Sequence, residues 1–161
     1  MRIYLIGMPG SGKSTLGVEL AKKLNYEFID MDSYIEYEAG MFIDEMFEAY
    51  GEEFFRALET NTLKELAKRD NVIISTGGGI IKNKKHKPIM DGKCVYLRVP
   101  LDELEKRLVD SGTIRPLLLK KSVYELFEER KDLYDYFADI TVDNLDIEAA
   151  INDICNSLWE Y

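Results

Sequence analysis

Residues Gly7 to Thr15 read G-M-P-G-S-G-K-S-T and follow directly on the apolar run Ile3-Tyr4-Leu5-Ile6. The order is a short buried strand, a glycine-rich turn and a helix expected from Lys13 to Leu24, which is the context of a P-loop. Such a turn aims consecutive backbone N–H groups at one point, where phosphate oxygens bind. The following helix adds its unpaired first-turn N–H groups and the positive end of its dipole. The pattern therefore requires a strand delivered to the edge of a ligand crevice, and it sets the ligand class. Gly10, Ser11, Gly12, Lys13, Ser14 and Thr15 are expected to hold a nucleotide triphosphate, with Lys13 on the β- and γ-phosphates and the Ser14 hydroxyl on Mg²⁺.

Around that motif, strand-like runs alternate with helix-period stretches. The runs are Arg2–Ile6, Glu27–Ile29, Val72–Ser75, Cys94–Val99 and Ile140–Val142. Leu101, Leu104 and Leu108 share one helix face, as do Ile147, Ile151, Ile154 and Leu158. Continuous apolar strands separated by amphipathic helices predict a parallel sheet covered on both faces, an α/β/α domain with five strands. With 161 residues and 46% hydrophobic content, one domain over residues 1–161 accounts for the chain.

Other classes are excluded by what is missing. No apolar run reaches the roughly 20 residues that span a bilayer, and Met1-Arg2-Ile3 leads straight into a strand, so a cytoplasmic protein is expected. Cys94 and Cys155 form neither a disulfide framework nor a zinc pattern and read as small core residues. A net charge of −9 repels nucleic acid. The run from Lys82 to Lys87 reads as a solvated loop or helix start, and His86 within it is assigned no chemistry. No Asn-Lys-x-Asp guanine reader is present. The third strand runs into Ser75-Thr76-Gly77-Gly78-Gly79 with no carboxylate to position a hydrolytic water, so transfer to a bound acceptor is expected.

Candidate acceptor residues follow. Asp30 and Asp32, two positions apart at the end of the second strand, are expected to point the same way. One would organise Mg²⁺ through its water shell and the other orient or deprotonate an acceptor hydroxyl. Gly77, Gly78 and Gly79 end a parallel strand where ligands bind in open sheets, and their missing side chains make room there. Arginine is scarce. Arg56, Arg115 and Arg130 could pair with carboxylate or phosphate in two-pronged fashion, and for Arg56 a salt bridge with Glu59 at i+3 is the competing use. Residues 109–121 hold a glycine, Arg115 and a lysine pair, and are expected to form a lid. Phe47, Phe54 and Phe55 could line a pocket or belong to the core. The stretch Asp143–Asp146 offers no specific reader of the base.

Taken in order, G-M-P-G-S-G-K-S-T, F-I-D-M-D, G-E-E-F-F-R-A-L-E, S-T-G-G-G, and R-P-L-L followed by E-R-K-D-L-Y resemble shikimate kinase over roughly Ile3 to Asp143. The resemblance implies the nucleoside monophosphate kinase fold with sheet order 2-3-1-4-5. It implies transfer of the ATP γ-phosphate to the 3-hydroxyl of shikimate. Lys13, Asp32 and Arg115 would be catalytic, and Arg115 would also reach ATP from the lid. Ser14 and Asp30 would serve the metal. Asp32, Arg56, Gly77, Gly78, Gly79 and Arg130 would bind shikimate, with helices over residues 32–60 forming its site. ATP and shikimate are the expected partners, with no nucleic acid or membrane, and the chain is expected to act as a monomer. Gluconate, a nucleoside monophosphate and a non-catalytic sensor role stand as the alternatives.

Overall fold

The computed structural model describes residues 1–111 and 122–159. Its centre is a five-stranded parallel sheet in the order β2-β3-β1-β4-β5. The strands are β1 (Arg2–Ile6), β2 (Glu27–Asp30), β3 (Val72–Ser75), β4 (Lys93–Arg98) and β5 (Ile140–Asp143). β1 lies in the middle, with Ile3 opposite Ile73 on one side and Lys93 on the other. β1 and β3 have the ends read from the sequence, and ends of β2, β4 and β5 move by a residue, because pairing across the sheet rather than apolar content sets where a ladder stops.

Side chains alternate across the sheet as a period of two requires. Ile3, Leu5, Ile73, Val95 and Leu97 face one core, closed by Leu16 and Leu20 of α1 (Lys13–Leu24) and by Ile151, Ile154 and Leu158 of α8 (Ile147–Leu158). Tyr4, Ile6, Ile74 and Tyr96 face the other. That second core is covered by α2 (Met31–Ala39), α3 (Ile43–Tyr50), α4 (Glu52–Leu66), α6 (Leu101–Ser111) and α7 (Val123–Phe137). A 3₁₀ turn at Ile80–Lys82 and the short α5 (His86–Ile89) link β3 to β4. Cys94 is buried in one core and Cys155 packs on the other. Among the described residues, no helix is long and apolar enough to cross a membrane.

Local chemistry explains where the helices begin. The Asp30 carboxylate accepts from the Ser33 amide at 3.1 Å and caps α2, while Ser122 and Asp146 cap α7 and α8 in the same way. The cap corrects one expectation: Asp32 is not on the strand with Asp30 but in the first turn of α2. The lysine run is also only partly as read. Lys82 to Lys85 are exposed, yet His86 is buried, because α5 turns it inward. Val109 and Asp110, expected at the start of the lid, belong to α6. The remainder of that segment, with Arg115, lies outside the described residues.

Candidate active site

The P-loop turns with Gly10 at φ 82° and Gly12 at φ 90°, in the left-handed region open to glycine. Gly12 is required twice over. A Cβ there would fall 2.6 Å from Asn144 Nδ2, whose amide donates to the Ser11 carbonyl at 2.7 Å and ties the loop to the end of β5. Lys13 Nζ donates to the Gly7 and Met8 carbonyls at 2.8 and 3.2 Å, which folds the lysine back over the loop. Beside the loop a cleft of about 470 Å³ is lined by Gly12, Lys13, Thr15, Arg107, Asn144 and Ile147, among others. That size suits a nucleotide. Arg107 donates to Asn144 O at 2.7 Å and pairs with Glu103 at 3.2 Å.

Ser14 at the start of α1 and Asp30 at the end of β2 meet: Ser14 Oγ donates to Asp30 Oδ2 at 2.7 Å. A hydroxyl beside a carboxylate is an oxygen-only donor set that suits a hard divalent cation. Such a cation takes its other ligands from phosphate and water. No group of three or more His, Cys, Asp or Glu could hold a metal ion among the described residues.

A second cluster of charged side chains is built on the glycines after β3. Three side chains lie against them in order: the Asp32 carboxylate on Gly77, Arg130 Nη1 on Gly78 and Arg56 Nη1 on Gly79. A Cβ at Gly77 would stand 2.5 Å from Asp32 Oδ1, and one at Gly78 would stand 3.0 Å from Arg130 Nη1. The space left by the missing side chains is thus filled by these three charged groups. Arg56 donates to Glu59 at 3.0 Å and to Glu52 at 3.4 Å. The pairing with Glu59 considered from sequence is present, but Glu59 is buried, so the pair belongs to the site wall. Arg130 is 1% exposed, and all three guanidinium nitrogens lack a hydrogen-bond partner among the described residues. Burial raises the Tyr134 phenol, and the neighbouring Arg130 guanidinium partly offsets that rise. A buried cation without partners is costly unless an anion completes it.

Asp32 is the electrostatic counterpart. Burial, then repulsion from Asp30 and Glu59, pushes its carboxyl up to about 6, against a partial offset from Lys13. A carboxyl so placed holds a hydroxyl well and can take a proton near neutral pH. Phe55 is buried and Phe47 packs on it at 5.0 Å, whereas Phe54 is exposed and packs on Tyr50. The first two belong to the core beneath the site.

Sequence reasoning missed Glu59 as a buried anchor and Asn144 as the clasp on the P-loop. The i+3 spacing of Arg56 and Glu59 was a usable signal for the first. Asn144 stands alone in a turn, where asparagine has many ordinary uses, and gave none.

A family model for shikimate kinase matches residues 9–159. A shikimate kinase of Clostridium botulinum strain 657 is 47% identical over 139 residues, 83% of this chain and 82% of that one. A bifunctional shikimate kinase/3-dehydroquinate synthase of Thermotoga maritima is 40% identical over 148 residues, 90% of this chain, which spans 30% of that longer protein. The solved shikimate kinase of Acinetobacter baumannii in complex with shikimate superposes with a TM-score of 0.86 at 31% identity, covering 99% of this chain and 95% of that one.

Proposed function

The chain belongs to the shikimate kinase family, and from that premise we propose how its residues move the γ-phosphoryl group of ATP to the 3-hydroxyl of shikimate. The observation that carries the reading is Arg130, a buried guanidinium without a described partner, beside Arg56 and Asp32 on one glycine wall. That set matches a small acceptor with a carboxylate at one end and hydroxyls at the other.

Arg130 and Arg56 grip the carboxylate, which fixes the ring and leaves its hydroxyls toward Asp32. Asp32 accepts the hydrogen bond of the attacking hydroxyl and takes its proton as the phosphoryl group passes across. The P-loop amides and Lys13 hold the β- and γ-phosphates in line with that oxygen. Phosphoryl transfer through a loose transition state asks chiefly for this positioning and charge. Ser14 and Asp30 would hold Mg²⁺, whose chemistry is to neutralise charge on the phosphate oxygens. Arg115, from the segment outside the described residues, is assigned the role of bringing further positive charge to the transferred group. Arg107, Asn144 and Ile147 would flank the nucleoside. The chain is assigned to the cytoplasm and to action as a monomer.

The test is ADP release with ATP and Mg²⁺ in parallel wells containing shikimate, gluconate, AMP or no acceptor. ADP is expected with shikimate alone. Turnover with gluconate at a comparable rate would overturn the reading of the acceptor wall, since gluconate shares the carboxylate and hydroxyls but not the rigid ring.

A further inference from the structure

His86 joins the helix that carries Arg56 to the turn that follows the glycine wall, and no motif in the sequence assigns it a role. It is the chain's one histidine and is 3% exposed. Its Nδ1 lies 2.7 Å from the Ile80 carbonyl, in the turn that follows Gly79. Its Nε2 lies 2.8 Å from Thr60 Oγ1, on α4 one turn beyond Arg56 and next to Glu59. A carbonyl only accepts, so Nδ1 carries the proton donated to Ile80. In the neutral ring Nε2 then accepts the Thr60 hydroxyl proton, in competition with the Arg56 carbonyl, which Thr60 Oγ1 reaches at 3.0 Å.

The two elements need such a joint. Arg56 rests against Gly79 only while α4 and the glycine turn keep their spacing. Its side chain is held from behind by Glu59 on α4, and that contact does nothing to hold α4 to the turn. From a third element, α5, the imidazole reaches the Ile80 carbonyl on one side and the Thr60 hydroxyl on the other, and a rigid ring fixes their separation. We propose that His86 is a positioning residue for shikimate binding, setting the placement of Arg56 over Gly79 by bridging Thr60 and Ile80. It touches neither substrate nor nucleotide. The inference rests on Arg56 gripping the acceptor carboxylate.

The experiment measures kcat and KM for both substrates in His86→Leu, His86→Asn, Thr60→Val and Arg56→Ala, and in Arg56→Ala combined with His86→Leu. His86→Leu is expected to raise the shikimate KM about tenfold, the scale of one or two lost hydrogen bonds, with the ATP KM little changed. His86→Asn keeps an N–H near the position of Nδ1 and should recover part of the loss. In the Arg56→Ala background, His86→Leu should lower kcat/KM for shikimate no further, because its effect passes through Arg56. Equal losses toward both substrates, or full additivity with Arg56→Ala, would overturn the proposal and leave His86 as core support. If His86→Leu does not fold, Thr60→Val decides: an unchanged shikimate KM overturns it. If Arg56→Ala itself leaves the shikimate KM unchanged, the clamp reading fails and the bridge falls with it. If Arg56→Ala raises that KM and His86→Leu does not, the bridge alone fails.

Discussion

Asp32 lies within the fields of Asp30, Glu59 and Glu36, and burial raises its carboxyl from 3.8 to about 6. For an acid, a folded pKa above the unfolded one means that the folded state binds the proton more tightly. Stability therefore falls as pH rises through the window from 3.8 to about 6, and the full penalty is present above it. Asp32→Asn should accordingly raise the melting temperature at pH 8, through a gain of up to roughly 3 kcal/mol. That advantage should shrink toward pH 5. Thermal melts at the two pH values check it. The same substitution should cut kcat by about 100-fold or more if Asp32 takes the proton. In the wild type, kcat/KM for shikimate should decline below about pH 6 as the carboxyl protonates. An Asp32→Asn enzyme with near-normal turnover would remove Asp32 from the chemistry. Asp32 was legible in the sequence through its place after a strand in a P-loop chain. Its altered acidity was not, because its main cause is burial, which depends on tertiary packing, and because Glu59 comes from α4, far away along the chain.

At the scale of elements, the glycine wall and the start of α2 each serve a double purpose. A methyl group at Gly78 would stand 3.0 Å from Arg130 Nη1, so Gly78→Ala should shift the guanidinium by a few tenths of an ångström and raise the shikimate KM several-fold, with the ATP KM little changed. Steady-state kinetics with each substrate varied would show it, and equal changes in both constants would contradict it. Asp30 caps α2 through Ser33 and also meets Ser14. Asp30→Ala should therefore cost about 1 kcal/mol in stability and raise the Mg²⁺ concentration needed for half-maximal rate. A variant with lower stability and an unchanged Mg²⁺ requirement would leave Asp30 as a cap alone. Strands and helices were legible here because their periodicities differ and the P-loop anchors the first of them. The Asp30–Asp32 geometry was misread because a cap and a strand end present the same letters. The backbone turns at Asp30, and only the amide it caps shows that.

For the whole molecule, the alternation of strands and helices gave a parallel sheet, but periodicity cannot order its strands. The order 2-3-1-4-5 came from the resemblance, and the sheet has it. Three of the seven arginines stand at the candidate site: Arg107 beside the P-loop, and Arg56 and Arg130 on the glycine wall. Arg130 is a buried cation in a protein of net charge −9, and a bound acid would relieve it. Arg130 was a candidate from sequence, but its complete burial was not legible, because it depends on the contact of α7 with the turn after β3. The most direct test of the account is calorimetric titration of shikimate into Arg130→Met, with the ligand-free melting temperature measured beside the wild type. The account predicts shikimate binding weaker by at least about 30-fold, together with a melting temperature equal to or above that of the wild type, since an unpaired buried charge is gone. A lower melting temperature with shikimate affinity unchanged would contradict it and make Arg130 a structural residue.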